Sequence, residues 1–197
     1  MSRALAETRR FFAARADGWD AKFPDDGPAY ARAVEDLDPP AGATVVDAGC
    51  GTGRAVPHLR AAVGPRGRVV ALDATPEMLA AGRRAGQLDG ADVAVADALR
   101  MPLRDGSVRA VFAAGLLPHL DDPEAGLREM ARVCTDRLAV FHPVGRVALA
   151  ARHGSVPHDD DVLSPARLEG LLHATGWRLL RCDDAEERYL ALAVRHG

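Results

Sequence analysis

The segment Val45–Arg54, VVDAGCGTGR, runs from an apolar, strand-like stretch into a glycine-rich turn and then into a helical pattern, an order that few folds accommodate. Glycines at 49, 51 and 53 permit positive φ and let the main chain approach a ligand closely, where a side chain would stand in the way. The rest of the chain keeps the same rhythm. Short apolar runs at Thr44–Asp47, Gly67–Asp73, Ala91–Ala96, Val108–Ala114 and Arg137–His142 alternate with stretches whose apolar residues recur at helical spacing. Those stretches are marked by Val56, Leu59 and Val63, by Met78, Leu79 and Ala85, and by Leu127, Met130 and Ala131. The alternation predicts a parallel sheet covered by helices.

Thr75-Pro76, Asp122-Pro123 and Ser164-Pro165 each set a side-chain oxygen before a proline, which predicts three capped helix starts. The last of these helices runs through Leu168, Leu171 and Leu172 and should stop at Gly176, a C′ glycine. Trp177–Cys182 and Arg188–Val194 flank an acidic turn and predict an antiparallel hairpin at one sheet edge. Ahead of the first strand, Leu5–Arg15 and Ala29–Leu37 read as helices.

Composition limits the function classes. The 28 acidic and 25 basic side chains leave a net charge of −3, which gives no reason to expect nucleic acid or an anionic membrane as a partner. No apolar run approaches the roughly 20 residues that span a bilayer. The opening MSRALAETRR lacks an apolar h-region and a cleavage site, so a cytoplasmic location is expected. Cys50, Cys134 and Cys182 are odd in number and lack metal spacing, which fits reduced thiols. His153, His158 and Asp159–Asp161 match no closed zinc site and sit in a Gly/Pro-bearing stretch expected to be a solvated loop, so no metal is expected.

The glycine spacing alone is a weak signal. A dinucleotide fingerprint would place its third glycine at position 54, where this chain has Arg54. The acids sharpen it. Asp47 precedes the first glycine, Asp73 ends the second apolar run twenty residues after Gly53, and Asp97 follows the third run. In a doubly wound sheet the carboxyl ends of neighbouring strands line one crevice, so the three would face one adenosine-type ligand, Asp73 accepting from both hydroxyls of a ribose. Any one of them alone reads equally well as a turn former or helix cap.

On these residues the sequence resembles the class I S-adenosylmethionine-dependent methyltransferases, especially the branch of ubiquinone/menaquinone C-methyltransferases and related small-molecule enzymes. The likeness rests on VVDAGCGTG, VVALDATPEMLAAGR, ADALRMPLRDGSV, LLPHLDDPEAGLREMARV and RYLALAVR. It implies an α/β Rossmann-like, doubly wound sheet of seven strands in a single domain over 1–197. Residues 1–37 would be a short N-terminal helical cap, 40–142 the cofactor-binding core, and 143–197 the C-terminal helix and hairpin. The implied cofactor is S-adenosyl-L-methionine. The backbone of Gly49, Cys50, Gly51 and Gly53 would cradle its methionine part, Asp73 would hold the ribose, and Ala74 and Met78 would pack on the adenine. Asp97 and Ala98 would recognise the adenine edge, Asp47 would orient the loop or meet the ammonium through water, and Ala114 and Gly115 would offer backbone groups. Two departures from the family pattern stand out: Arg109 where an aspartate is usual, and Cys134-Thr135-Asp136-Arg137 in place of a K-P-G-G turn. Both should lie away from the cofactor crevice.

Methyl transfer from a sulfonium needs chiefly alignment, and a base only where the acceptor must lose a proton. His119 and His142 are the candidate bases. Phe11, Phe12, Trp19, Phe23 and Tyr30 put all but four of the aromatics in the first thirty residues, either as core packing or as a lid that excludes water and shapes an acceptor pocket. The lid reading expects a sheet lacking residues 1–37 to stay folded. The expected partner is a small-molecule acceptor, with a monomer or homodimer both open, because the segment between the fifth strand and the Ser164 helix is short for a macromolecular substrate. The alternatives are a cofactor-binding partner protein without turnover and a nicotinamide-dependent oxidoreductase. The latter is disfavoured by Arg54 and by the lack of a Tyr-x-x-x-Lys pair, Lys22 being the only lysine.

Overall fold

The computed structural model describes residues 2–22, 26–152 and 154–196. Phe23 and His153 therefore lie outside the described residues. The helices and strands alternate in the expected order: α1 (Arg3–Ala13), α2 (Gly27–Leu37), β1 (Thr44–Ala48), α3 (Val56–Val63), β2 (Arg68–Asp73), α4 (Pro76–Arg84) and β3 (Asp92–Val95), then β4 (Val108–Ala114), α5 (Pro123–Val133), β5 (Cys134–His142), α6 (Arg146–Arg152), α7 (Pro165–Ala174), β6 (Trp177–Ala185) and β7 (Arg188–Arg195). The strands form one seven-stranded sheet in the order β3-β2-β1-β4-β5-β7-β6. β1 to β5 pair in parallel, while β7 runs antiparallel between β5 and β6. The fold is Rossmann-like, and its switch point falls between β1 and β4.

Strand periodicity sends successive residues to opposite faces, and both faces are buried. Val45, Phe112, Phe141 and Leu190 meet α2, α3 and α4 through Val34, Leu37, Leu59 and Leu79. Their neighbours Val46, Val111, Val140 and Tyr189 meet α5 and α7 through Leu127, Met130, Leu168 and Leu172. Trp177, wholly buried, satisfies its indole N–H on the Leu127 carbonyl at 3.1 Å.

The helix starts depart from expectation in two places. Asp122 caps α5 as its sequence predicts, accepting from the Ala125 N–H at 2.9 Å. Thr75 and Ser164 stand at N-cap positions with extended backbones but do not cap through their side chains. Ser164 Oγ instead donates to the Asp159 carbonyl at 2.6 Å, and the Thr75 N–H is taken by Asp73. Gly176 follows α7 with φ +85°, the expected C′ glycine.

Arg146–Arg152, to which the sequence reading assigns no element, is helical. This helix buries no residue, so it leaves no apolar period in the sequence. Its start is held from afar: the Arg146 N–H donates to Asp184 of β6 at 2.8 Å, and the Gly145 N–H to the Glu186 carbonyl at 3.2 Å. β5 also begins earlier than expected, because α5 passes into it at Cys134 without an intervening turn. Arg109 and Asp136, the two departures from the family pattern, pair with each other at 3.0 Å. They sit at the amino ends of β4 and β5, the sheet edge opposite the switch-point crevice.

The N-terminal aromatics divide between two roles. Tyr30 on α2 is buried against Phe141, ring centroids 5.0 Å apart, and Phe112. α1 buries no residue fully, and Phe11 is 46% exposed. Removing residues 1–37 would therefore strip core packing, which weighs against the expectation that the sheet would stay folded without them. Tyr30→Ala is expected to lower unfolding free energy by about 3–5 kcal/mol, and Phe11→Ala by less than about 1 kcal/mol, in urea denaturation. Equal effects would remove the distinction between the two helices.

Candidate functional site

The carboxyl ends of β1 and β2 build the site. Beyond the last paired residues, Ala48 and Leu72, the Cys50 N–H donates to the Leu72 carbonyl at 2.9 Å and turns the chain across the strand ends. Gly49, Gly51 and Gly53 all have positive φ, the region only glycine adopts without strain. Space is also tight. A Cβ on Gly49 would lie 2.7 Å from Leu116 Cδ1, and one on Gly53 2.4 Å from Leu88 Cδ2.

Asp73 ties this turn to the next helix. One carboxylate oxygen accepts from the Gly51 N–H at 2.8 Å and the other from the Thr75 N–H at 2.7 Å. Burial pushes its pKa above the ordinary carboxylate value, and these two amides, with the Thr75 hydroxyl, pull it back. Each oxygen keeps lone-pair capacity beyond the amide it accepts, so the carboxylate can still receive hydroxyl donors.

Asp47 is the counterpart without partners. It is 1% exposed, and neither carboxylate oxygen has a hydrogen-bond partner among the described residues. Burial, with a smaller push from Asp73, raises its pKa to about 8. A buried carboxyl left unsatisfied is unfavourable, and a cation or a bridging water at this point would relieve it. A cofactor with a cationic amino-acid end and a ribose fits this arrangement: an orphaned acid, a second acid with free acceptor capacity and a turn too crowded for side chains.

Met78 is buried on α4, its methyl 3.3 Å from where a Cβ on Gly51 would lie. Ala74 is half-buried beside Asp73, and Asp97, Ala98, Ala114 and Gly115 are half-buried at the ends of β3 and β4. Asp97 makes an Asx turn, accepting from the Leu99 N–H at 2.9 Å. Cys50 is buried, and burial, then Asp47 and Asp73, push its thiol well above the ordinary value, which disfavours the thiolate.

The two histidines stand apart in character. His142 ends β5 with its Nδ1 2.8 Å from the Val144 carbonyl, and its Cδ2 lies 3.8 Å from the position a Cβ on Gly115 would take. His119 lies in the 3-10 turn Leu117–His119 after β4, its ring edge-on to Phe12 of α1 at 5.0 Å. Desolvation lowers its pKa although the residue keeps solvent exposure. Among the described residues no group of three or more His, Cys, Asp or Glu could hold a metal ion.

Two contributors escape a reading of the sequence. Gly82, in mid-α4, lets the helix lie against the turn, since a Cβ there would be 2.2 Å from the Thr52 carbonyl oxygen. A glycine inside a helix is a mild flag for such a contact. The other is the segment before α2, which reaches the site from outside. Thr52 Oγ1 donates to Asp20 at 2.8 Å, Arg54 pairs with Asp26, Arg84 pairs with Asp17, and Ser2 bonds to Asp121. Arg54 also lies over the Tyr30 ring at 5.4 Å. The position where a dinucleotide fold needs glycine thus holds an arginine folded into the structure.

Asp47 links the site to stability. In the unfolded chain it titrates near 3.8 and in the folded chain near 8, so between these values the folded state holds the extra proton and stability falls as pH rises. Asp47→Asn is therefore expected to raise the urea midpoint of the ligand-free protein at pH 8, with the gain vanishing near pH 3.8. A midpoint lowered at pH 8 would show that Asp47 is satisfied by its surroundings.

Residues 46–137 match the family model described as a methyltransferase domain. Over 97 residues the chain is 37% identical to the ubiquinone/menaquinone biosynthesis C-methyltransferase UbiE of Hahella chejuensis, a stretch that is 47% of this chain and 39% of that protein. The chain spans between about a third and two fifths of the length of the curated relatives it matches. Among solved structures, it superposes on a SAM-dependent methyltransferase from Aquifex aeolicus with a TM-score of 0.73, at 22% identity over 95% of this chain and 98% of that one. It also superposes on magnesium protoporphyrin IX methyltransferase from Synechocystis with bound SAM, with a TM-score of 0.69 at 17% identity over 100% and 99% of the two chains. The fold is that of these methyltransferases.

Proposed function

We propose that the chain transfers a methyl group from S-adenosylmethionine to a small-molecule acceptor by in-line displacement. The cofactor is S-adenosylmethionine: the methyltransferase-domain match covers the glycine turn and both acids, and the Synechocystis neighbour of the same fold holds that molecule. The observation that carries the reading is the contrast at the strand ends, where Asp73 is half-satisfied by the Gly51 and Thr75 amides and Asp47 is buried without a partner.

In this reading the Gly49–Gly53 backbone holds the methionine part of the cofactor, and Asp47 compensates its ammonium through water. Asp73 accepts from the ribose, Ala74 and Met78 pack on the adenine, and Asp97 and Ala98 meet its edge. Ala114 and Gly115 border the amino-acid portion. Bound S-adenosylmethionine supplies an electrophilic methyl on a sulfonium whose charge disappears on transfer. The chain's part is to align the acceptor and keep water out, and α1 packs against the loop after β4 through Phe12 and His119. Where the acceptor must lose a proton, His142 at the end of β5 is one candidate base. His119 is the second candidate.

The nicotinamide reading finds no support, since Arg54 closes the position that its phosphate loop needs. Binding without turnover shares the same site. Incubation of the purified protein with methyl-labelled S-adenosylmethionine and a metabolite extract is expected to yield a labelled small molecule. In calorimetric titration, Asp73→Ala is expected to weaken S-adenosylhomocysteine binding by about 1.5–3 kcal/mol, and Gly51→Val to weaken it comparably. Unchanged affinity in both variants would remove the turn from the cofactor site.

A further inference from the structure

Near the loop after β4, α6, the segment 155–163 and Pro118 border an open cavity of about 440 Å³, with Val156 67% exposed at its rim. Its walls are mostly apolar: Pro118, Leu149, Val156, Val162 and Leu163. The loop after β4 joins it to the glycine turn, because Leu116 packs on Gly49 while Pro118, two residues on, forms part of the cavity wall. The volume exceeds that of a single aromatic ring with a short side chain.

The polar lining decides what kind of molecule fits. Among the described lining residues the one permanent cation is Arg146, largely buried, with part of its guanidinium engaged and its Nε buried without a hydrogen-bond partner. The guanidinium donates to the His158 carbonyl at 2.8 Å and lies 3.4 Å from Asp161 and 3.6 Å from Asp184. One cation thus faces two carboxylates. Asp160, also in the lining, is exposed and makes no ion pair among the described residues. The surplus charge of the cavity is negative, which favours a cation and repels an anion.

Resting on the methyltransferase reading, we propose that this cavity holds the methyl acceptor and selects a small molecule with an apolar, ring-sized body and a positively charged group. Asp160 sets the preference for charge, and Leu149 and Val156 set the preference for an apolar body.

Phenethylamine and hydrocinnamate have similar shapes and opposite charges, so they serve as probes. Each is titrated calorimetrically into the full-length protein saturated with S-adenosylhomocysteine. The amine is expected to bind at least about tenfold more tightly than the acid, with the preference shrinking in Asp160→Asn and at raised salt. Leu149→Trp fills the cavity from a helix that buries no residue, and should abolish amine binding while S-adenosylhomocysteine affinity is kept. Equal or tighter binding of the acid, binding of neither probe, or amine binding unaltered in Leu149→Trp overturns the assignment while the cofactor reading stands. Failure of the wild-type protein to bind S-adenosylhomocysteine overturns both.

Discussion

The carboxylate of Asp73 is the joint on which the site turns. It ends β2, one residue past the last pair with β1, and takes the amides of Gly51 and Thr75 on its two oxygens. Burial of an ionised carboxylate is unfavourable until such donors are supplied, so satisfying it requires the glycine turn and the start of α4 to converge on it. The convergence then sets everything nearby. α4 comes close enough that only glycine fits at position 82, and Met78 reaches the inside of the turn. A conformation stored in three glycines is thus held by one side chain from the neighbouring strand.

Asp47 shows what the same location does without donors. It sits on β1 opposite Ala71, two residues short of the turn, with both oxygens orphaned and its proton retained to about pH 8. Nothing in the packing requires an acid there. An alanine or valine would extend the apolar run of β1 and avoid the desolvation, so the acid is retained against stability. That is the mark of a group kept for a ligand, and it gives the orphaned acid more weight as evidence than the satisfied one.

Much of this was readable before any coordinates. Strands buried on both faces must be apolar throughout, and Val45–Val46 and Val111–Phe112 announce themselves for that reason. Gly49, Gly51, Gly53 and Asp73 were legible because a backbone with positive φ at a strand end restricts which residues can stand there. The failures have an equally physical source. α6 has no buried face and is started by Asp184, so its signal lies 38 residues away in the chain. Arg109 and Asp136 look like two separate departures until β4 and β5 pair and bring them to 3.0 Å. Leu116 looks like any leucine until the loop after β4 folds over Gly49. Local rules find residues whose own backbone is constrained, and miss those whose role comes from a neighbour.

The N-terminal region divides by the same energetic logic. α2 is held by burial of Tyr30, Val34 and Leu37 and by Arg137, which donates to the Leu37 and Asp38 carbonyls at the end of that helix. α1 and the turns after it are held mainly by polar contacts at the surface: Arg84 to Asp17, Thr52 to Asp20 and Ser2 to Asp121. Exposed pairs of this kind contribute about 0–1 kcal/mol each, far less than a buried aromatic. Opening α1 away from the crevice therefore disturbs little besides Phe12 and its contact with His119, whereas displacing α2 would break the core. A segment held by contacts that water can replace can detach without unfolding the sheet.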